Sequence, residues 1–335
     1  MIGATAPLPA IRGASRVHSG KRQVAAAAVH PPTDASTSPP DFPRLRGRIA
    51  ASQRSAIPAH SHYFDMTHPT QITAAEFAQF QALIHKIAGI NLSDAKQILL
   101  VGRLGRRLKH YGLSSYTEYY KLVTSSQHAG ELQQMVDLLT TNETYFFRES
   151  KHFEYLAQHI LPKHPPGRSF DVWSAASSTG EEIYTIAMVL ADTLGLKGQW
   201  NVTGSDISRS VLAVAERGQY WLDRVRGLPP DYLRKYCLKG VKENEGSFII
   251  MPELRRHTRF LQANLNGPLP GLGKFHVIFL RNVMIYFDND TKRKVVERLV
   301  QHLHPGGHLI IGHSESLNNI TNCVKPIKPT IYQAA

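Results

Sequence analysis

The chain has little cysteine, no long apolar run and none of the glycine-rich phosphate motifs, and each shortage excludes something. Its 335 residues include two cysteines, Cys237 and Cys323. Two cannot build a disulfide framework, and neither sits in a CxxC or Cys/His cluster, so a structural zinc is excluded and a reducing, cytoplasmic setting fits. The 17 histidines show no ligand spacing, and no metal is expected. No stretch approaches the roughly 18 apolar residues of a spanning helix, so no integral membrane segment is expected. GxGxxG is missing, as is GxxxxGK followed by Ser or Thr, which sets aside dinucleotide and P-loop chemistry. A motif for holding a flipped base is missing too: Leu228-Pro-Pro-Asp231 is the nearest stretch, and neither cysteine follows a proline as a cytosine C5 nucleophile would. Gly312-His-Ser314-Glu-Ser316 lacks the closing glycine of a nucleophile elbow, and no histidine follows it, which excludes a serine hydrolase.

Positive charge is abundant. The chain has 39 Lys and Arg against 26 Asp and Glu, a formal charge of +13. That balance permits nucleic acid, an anionic membrane or an acidic protein as partner. With base-holding motifs missing, nucleic acid is set aside.

Residues 1–65 differ in texture from the rest. They are rich in Ala, Pro, Ser and His, include PPTDASTSPP at 31–40, and show neither a helical nor a strand period. Such a composition cannot bury enough apolar surface to offset chain ordering, so a disordered basic tail is expected. Met66 opens the first ordered-looking stretch, and an upstream over-extension of the reading frame is an equal reading of the tail. From 71 to 140 the period is helical. Phe77, Phe80, Ile84 and Ile87 share one face, Leu100, Val101, Leu104 and Leu108 a second, Tyr116, Tyr119, Tyr120 and Val123 a third, and Leu132, Met135, Val136 and Leu139 a fourth. These predict a helical N-terminal domain with its linker over 66–148.

Beyond it, over 149–335, short apolar runs alternate with amphipathic helices. Strands are predicted at 170–174, 201–205, 275–280 and 308–311, with helices between them, the pattern of an α/β fold with a parallel, doubly wound sheet. Residues 228–262 break the alternation, and GSFIIMPEL and RHTRFLQ are expected to form antiparallel strands of an insert.

The turn after the first strand reads WSAASSTGEE over 173–182. Small residues let the backbone approach a ligand, and a helix N-terminus follows at once. Glu181 and Glu182 in its first turn would repel a pyrophosphate and suit a cationic amine or sulfonium; complementing the helix dipole explains them equally well. The second strand ends in Gly204-Ser205-Asp206. An acid there is placed to accept from ribose hydroxyls, and with the small-residue turn upstream this outweighs a helix N-cap. An adenosine cofactor without phosphates is implied, and S-adenosylmethionine fits.

Three further stretches extend the pattern: Thr140-Thr-Asn142-Glu-Thr144-Tyr-Phe-Phe-Arg148-Glu149, Phe279-Leu-Arg281-Asn282-Val-Met-Ile-Tyr286-Phe287 and GHSESL at 312–317. With WSAASSTGEE, they closely resemble the CheR-type chemotaxis protein methyltransferases, in order and spacing, over about 71–332. The resemblance implies a helical domain joined to a class I methyltransferase domain carrying a small antiparallel insert. It implies S-adenosylmethionine as cofactor, with S-adenosylhomocysteine as product, and methyl transfer to chemoreceptor glutamates as γ-carboxyl esters. Asn142, Thr144 and Arg148 would lie over the cofactor, Glu182 and Asp206 would hold its amino-acid and ribose parts, Asn264 and Leu265 would flank adenine, and Arg281 and Asn282 would close the site. Sequence alone does not separate Glu181 from Glu182. Ile183, Leu280 and His276 depart from the usual pattern; the first two read as packing changes, the third as a changed structural hydrogen bond.

A glutamate side chain, with a pKa of about 4.3, is already ionised at neutral pH and needs no general base. Positioning and exclusion of water should therefore dominate. Arg148, with its planar fork, is the candidate for holding a carboxylate, unless it pairs with Glu149. Tyr286 is the candidate for lining the transfer point, unless it only packs. Arg103, Arg106 and Arg107 fall at i, i+3 and i+4 on one helix face, a dock for acidic cytoplasmic receptor helices or a solvated charged face. The loop Lys239–Gly246 lacks the Gly-x-Gly-Pro associated with tethering relatives, which argues against a receptor C-terminal peptide tether. A non-catalytic module that binds a signalling partner is the competing reading from another class.

Overall fold

The computed structural model describes residues 71–335, so the expected tail over 1–65 lies outside the described residues. Four helices come first: α1 (Ala74–Ala88), α2 (Gln97–Tyr111), α3 (Tyr116–Thr124) and α4 (Ala129–Leu139). A capping box starts α1. The Thr73 hydroxyl accepts from the Glu76 N–H, and the Glu76 carboxylate accepts from the Thr73 N–H. Glu76 also accepts from the backbone and hydroxyl of Thr117, which pins the start of α3 to α1. The apolar stripes meet in one core, where Phe80 lies against Tyr116, Tyr119 and Tyr120 with ring centroids 5.6–6.3 Å apart.

After α5 (Lys151–Tyr155), a seven-stranded sheet organises the rest. Its strands are β1 (Phe170–Ser174), β2 (Trp200–Asp206), β6 (Thr258–Gln262), β7 (Phe275–Leu280), β8 (Leu303–Ile311), β9 (Val324–Lys328) and β10 (Ile331–Ala334), in the order β6-β2-β1-β7-β8-β10-β9. The first five are parallel, while β10 pairs antiparallel with β8 and β9. The chain turns outward in both directions from β1. That leaves a crevice at the carboxyl ends of β1, β2 and β7, where open parallel sheets bind ligands. Helix α6 (Glu181–Leu194) covers one face, with Ile183 through Ala191 all buried. Ile183 packs over Gly204, where an added Cβ would stand 1.7 Å from its Cδ1. The glycine in β2 is thus what lets this side chain lie flat on the sheet. Helices α7 (Arg209–Arg217) and α10 (Asn289–Val300) follow β2 and precede β8.

The insert is a separate three-stranded antiparallel sheet, β3 (Gln219–Trp221), β5 (Ser247–Ile250) and β4 (Cys237–Lys239), flanked by the short helices α8 (Pro230–Tyr236) and α9 (Pro252–Arg255). One expectation needs correcting here. RHTRFLQ does not join the insert: its strand β6 pairs parallel with β2, Val202 opposite Thr258 through Asp206 opposite Gln262, and the insert begins earlier, at Gln219. β6 is the edge of the main sheet, with none of its five residues fully buried, so it lacks the continuous apolar run of a central parallel strand. Among the described residues no helix is long and apolar enough to cross a membrane.

Candidate active site

The crevice at the strand ends is a cavity of about 500 Å³, within the usual range for a small-molecule site. Its floor is the turn after β1, where Ala175, Ala176 and Ser178 let the backbone come close. Its roof comes from the helical layer, through Lys96 and Arg103 of the α2 region and the crossing segment 140–149.

Asp206, at the end of β2, is buried and lines the cavity. Its carboxylate accepts from the Ser178 N–H at 2.9 Å and the Ser208 N–H at 3.0 Å. Burial pushes its pKa up against these donors. It is not the cap of α7: the Ser208 side chain is, accepting from the Val211 N–H. Glu182 and Glu181, inseparable in the sequence, part here. Glu182 lines the cavity and accepts from the Ser174 hydroxyl at 2.7 Å, whereas Glu181 is not among the lining residues, accepts from Thr179, and has its pKa raised by burial.

Arg281 ties the walls together. Its guanidinium donates to Glu182 at 2.8 Å, to Glu149 at 2.9 Å, and to the Arg148 carbonyl. Burial raises the Glu149 pKa, but Arg281, Asn282 and the His313 N–H outweigh it and hold the carboxyl down to about 2. Arg148 is therefore not the ion-pair partner of Glu149. It donates to the Glu143 carbonyl at 2.8 Å and lies over the Tyr145 ring. Asn282, in left-handed backbone at φ 57°, donates its side-chain amide to Glu149 at 3.1 Å. Phe147, Glu149 and Ser178 share that conformation, so uncommon backbone gathers around the cavity.

Asn142, Thr144, Asn264, Leu265 and Tyr286 all line the cavity. The Asn142 carbonyl accepts from the Ser178 hydroxyl, joining the crossing segment to the floor. The Asn264 amide is engaged by the Ile87 carbonyl at 2.7 Å and the Asn266 N–H, so its backbone and Leu265 form that wall more than a free amide does. The Tyr286 carbonyl accepts from the Asn91 N–H at 2.8 Å, holding this residue to the helical layer.

The basic face of α2 is not one surface. Arg107 forms a two-pronged pair with buried Glu131 at 2.8 and 2.6 Å, and Tyr111 and Tyr119 donate to the same carboxylate. Its charge is answered inside the protein, which removes it from the expected dock. Arg103 donates to the Leu139 and Thr140 carbonyls and lines the cavity, while Arg106 is exposed.

Two acids that tie the walls of the site together, Glu149 and Glu315, have no site role assigned from the sequence. Glu315 accepts from the backbone N–H groups of Gly312, Asn282 and Met284 at 2.7–2.9 Å, clipping the turn after β7 to the turn after β8, and burial raises its pKa. Its sequence signal is the GHSESL stretch at 312–317, which contains it without marking the acid for a role.

The residues present fit S-adenosylmethionine. Two carboxylates line the cavity, Asp206 at the end of β2 and Glu182 in the first turn of α6, one suited to vicinal hydroxyls and one to an ammonium. This fold and cavity define a class I S-adenosylmethionine-dependent methyltransferase. The chain belongs to the CheR methyltransferase family: residues 142–333 match its S-adenosylmethionine-binding domain and residues 75–140 its all-alpha domain. It is 42% identical over 269 residues to the chemotaxis protein methyltransferase of Escherichia coli (strain K12), covering 80% of this chain and 93% of that one. It is 38% identical to chemotaxis protein methyltransferase 2 of Pseudomonas aeruginosa, covering 78% and 94%, and 33% identical to Cher2 of Pseudomonas putida, covering 77% and 98%.

Proposed function

We propose that the protein methylates glutamate side chains of chemoreceptors, forming γ-carboxyl methyl esters, and acts on the cytoplasmic side of receptor arrays. One observation carries the acceptor's chemistry. Arg103 and Arg148, both lining the cavity, donate only to carbonyl and hydroxyl oxygens, so among the described residues no carboxylate neutralises either. Two uncompensated guanidinium groups at a cavity mouth suit an anionic acceptor.

The bound cofactor supplies an electrophilic methyl group on a sulfonium. In this reading Asp206 holds the ribose hydroxyls and Glu182 the ammonium, with Arg281 fixing the orientation of Glu182. Asn142, Thr144 and Asn282 border the same space, and Leu265 flanks the adenine. The incoming glutamate is already ionised, so the protein removes no proton. Arg148 orients its carboxylate, Tyr286 lines the path of approach, and the crossing segment excludes water. The helical layer with its linker to Arg148 serves as the roof, and the remainder of the chain as the catalytic body. Arg106 remains as an exposed cation on α2 for steering acidic receptor helices.

Radiolabelled methyl transfer to receptor-containing membranes tests the acceptor. Label released by mild alkali is expected of an ester; label that survives alkali overturns the carboxylate acceptor.

A further inference from the structure

Behind the cavity wall, one buried nitrogen has no partner. His152 is 2% exposed, and its Nδ1 makes no hydrogen bond. Its other nitrogen, Nε2, lies 2.8 Å from the Thr330 hydroxyl oxygen. That hydroxyl donates its own hydrogen to the Pro329 carbonyl at 2.6 Å, so it accepts from the ring and Nε2 carries the proton. Nδ1 therefore presents a bare lone pair. It faces Glu149 Oε2, an acceptor as well, at 3.5 Å. The ring of exposed His313 stands 4.9 Å from that of His152, centroid to centroid. One ligand atom from each of the three residues lies within 4.8 Å of the others. Two lone pairs aimed at each other in a buried site are unfavourable unless a cation stands between them.

We propose that Glu149, His152 and His313 form a binding site for a divalent transition-metal ion, zinc above all. Two imidazoles and a carboxylate are a donor set such ions take, and three protein ligands leave a fourth position for water. The Thr330 contact fixes the tautomer that frees Nδ1, the usual arrangement behind a ligating histidine. His313, at the surface, provides the access route. The ion and Arg281 compete for one carboxylate, because Arg281 now donates to the Glu149 oxygen that faces His152. When the ion draws Glu149 away, Arg281 keeps Glu182 and the Arg148 carbonyl.

Calorimetric titration of the full chain with zinc chloride, after chelator treatment and without cofactor, tests the site. One ion per chain is expected, with affinity weakened by more than about tenfold in His313→Ala and in His152→Gln. Magnesium chloride should give no heat, since that ion prefers oxygen ligands. His313 is exposed, so H313A keeps the test open even where H152Q does not fold. Cobalt(II) in place of zinc should give visible absorption bands that H313A abolishes. Absence of zinc binding, or equal zinc affinity in the native and H313A proteins, overturns the proposal.

Discussion

Asp137, on α4 of the helical layer, adds to the Ser208 cap a second one from outside at the start of a helix of the other layer: its carboxylate accepts from the Ser210 N–H at 3.0 Å and the Arg209 N–H at 3.3 Å, both at the start of α7. Gln133, one turn earlier, donates to the Ile207 carbonyl at 3.0 Å. The helical layer therefore grips the segment that immediately follows Asp206. The geometry of Asp206 thus depends on a residue outside the parallel sheet. Asp137→Ala should lower stability by about 1 kcal/mol, the worth of a typical N-cap. Urea unfolding followed by circular dichroism measures it, and Asp137→Asn should recover part of the loss.

Arg106 and Arg107 are adjacent in sequence yet should behave oppositely. Arg107→Ala leaves the Glu131 carboxylate buried without its cation and should destabilise the fold by about 3 kcal/mol. Arg106→Ala should leave the unfolding midpoint unchanged and slow methylation of receptors. At raised ionic strength that difference should shrink, because steering by exposed charge is screened. Thermal melts and initial rates at two salt concentrations separate the two.

Tyr286 and Asp206 should divide turnover from cofactor affinity. Tyr286→Phe is expected to lower kcat by about tenfold, with S-adenosylhomocysteine binding nearly unchanged. Asp206→Asn should weaken S-adenosylhomocysteine by about tenfold or more, the worth of a hydrogen bond to a charged group. Calorimetry with the product, beside steady-state rates, reads both.

Acid should weaken the fold in two stages. Burial and the Arg281 charge push His152 from its ordinary 6.5 down to about 4, so the unfolded chain binds this proton first and stability falls as pH drops from 6.5 towards 4. Glu149 is held down to about 2 from 4.5; its stabilisation is complete above 4.5 and is lost as pH falls through 2. His152→Gln should reduce the first stage, leaving the part due to His276 and His308, which burial also lowers, and should spare the second. Unfolding free energies measured across pH 3–7 would show whether the first slope becomes shallower.

Elements whose burial is decided locally are legible in the sequence. The stripe Phe77, Phe80 and Ile84 is α1, with Gly89 ending it in left-handed backbone, and the apolar run Phe275–Leu280 is β7. Strand β6 is legible as a strand but not as the edge of the main sheet, because none of its five residues is fully buried and it lacks the continuous apolar run of a central parallel strand. The site divides the same way. Local motifs mark Asp206 and the turn before α6, but the choice of Glu182 over Glu181 depends on how α6 is rotated against the sheet. Glu149 and Glu315 take their roles from Arg281, Asn282 and Met284, partners more than thirty residues distant or across a turn between strands. Helical spacing places Arg107 on a face, but not opposite Glu131, which lies 24 residues away on α4.

The crossing from Thr140 to Glu149 joins the layers and also borders the cavity through Asn142, Thr144 and Arg148. Severing it would divide one binding surface between two fragments rather than release two modules. A split-protein pair broken there should reassemble best with ligand in the cleft, making fragment complementation a readout of occupancy in the cell.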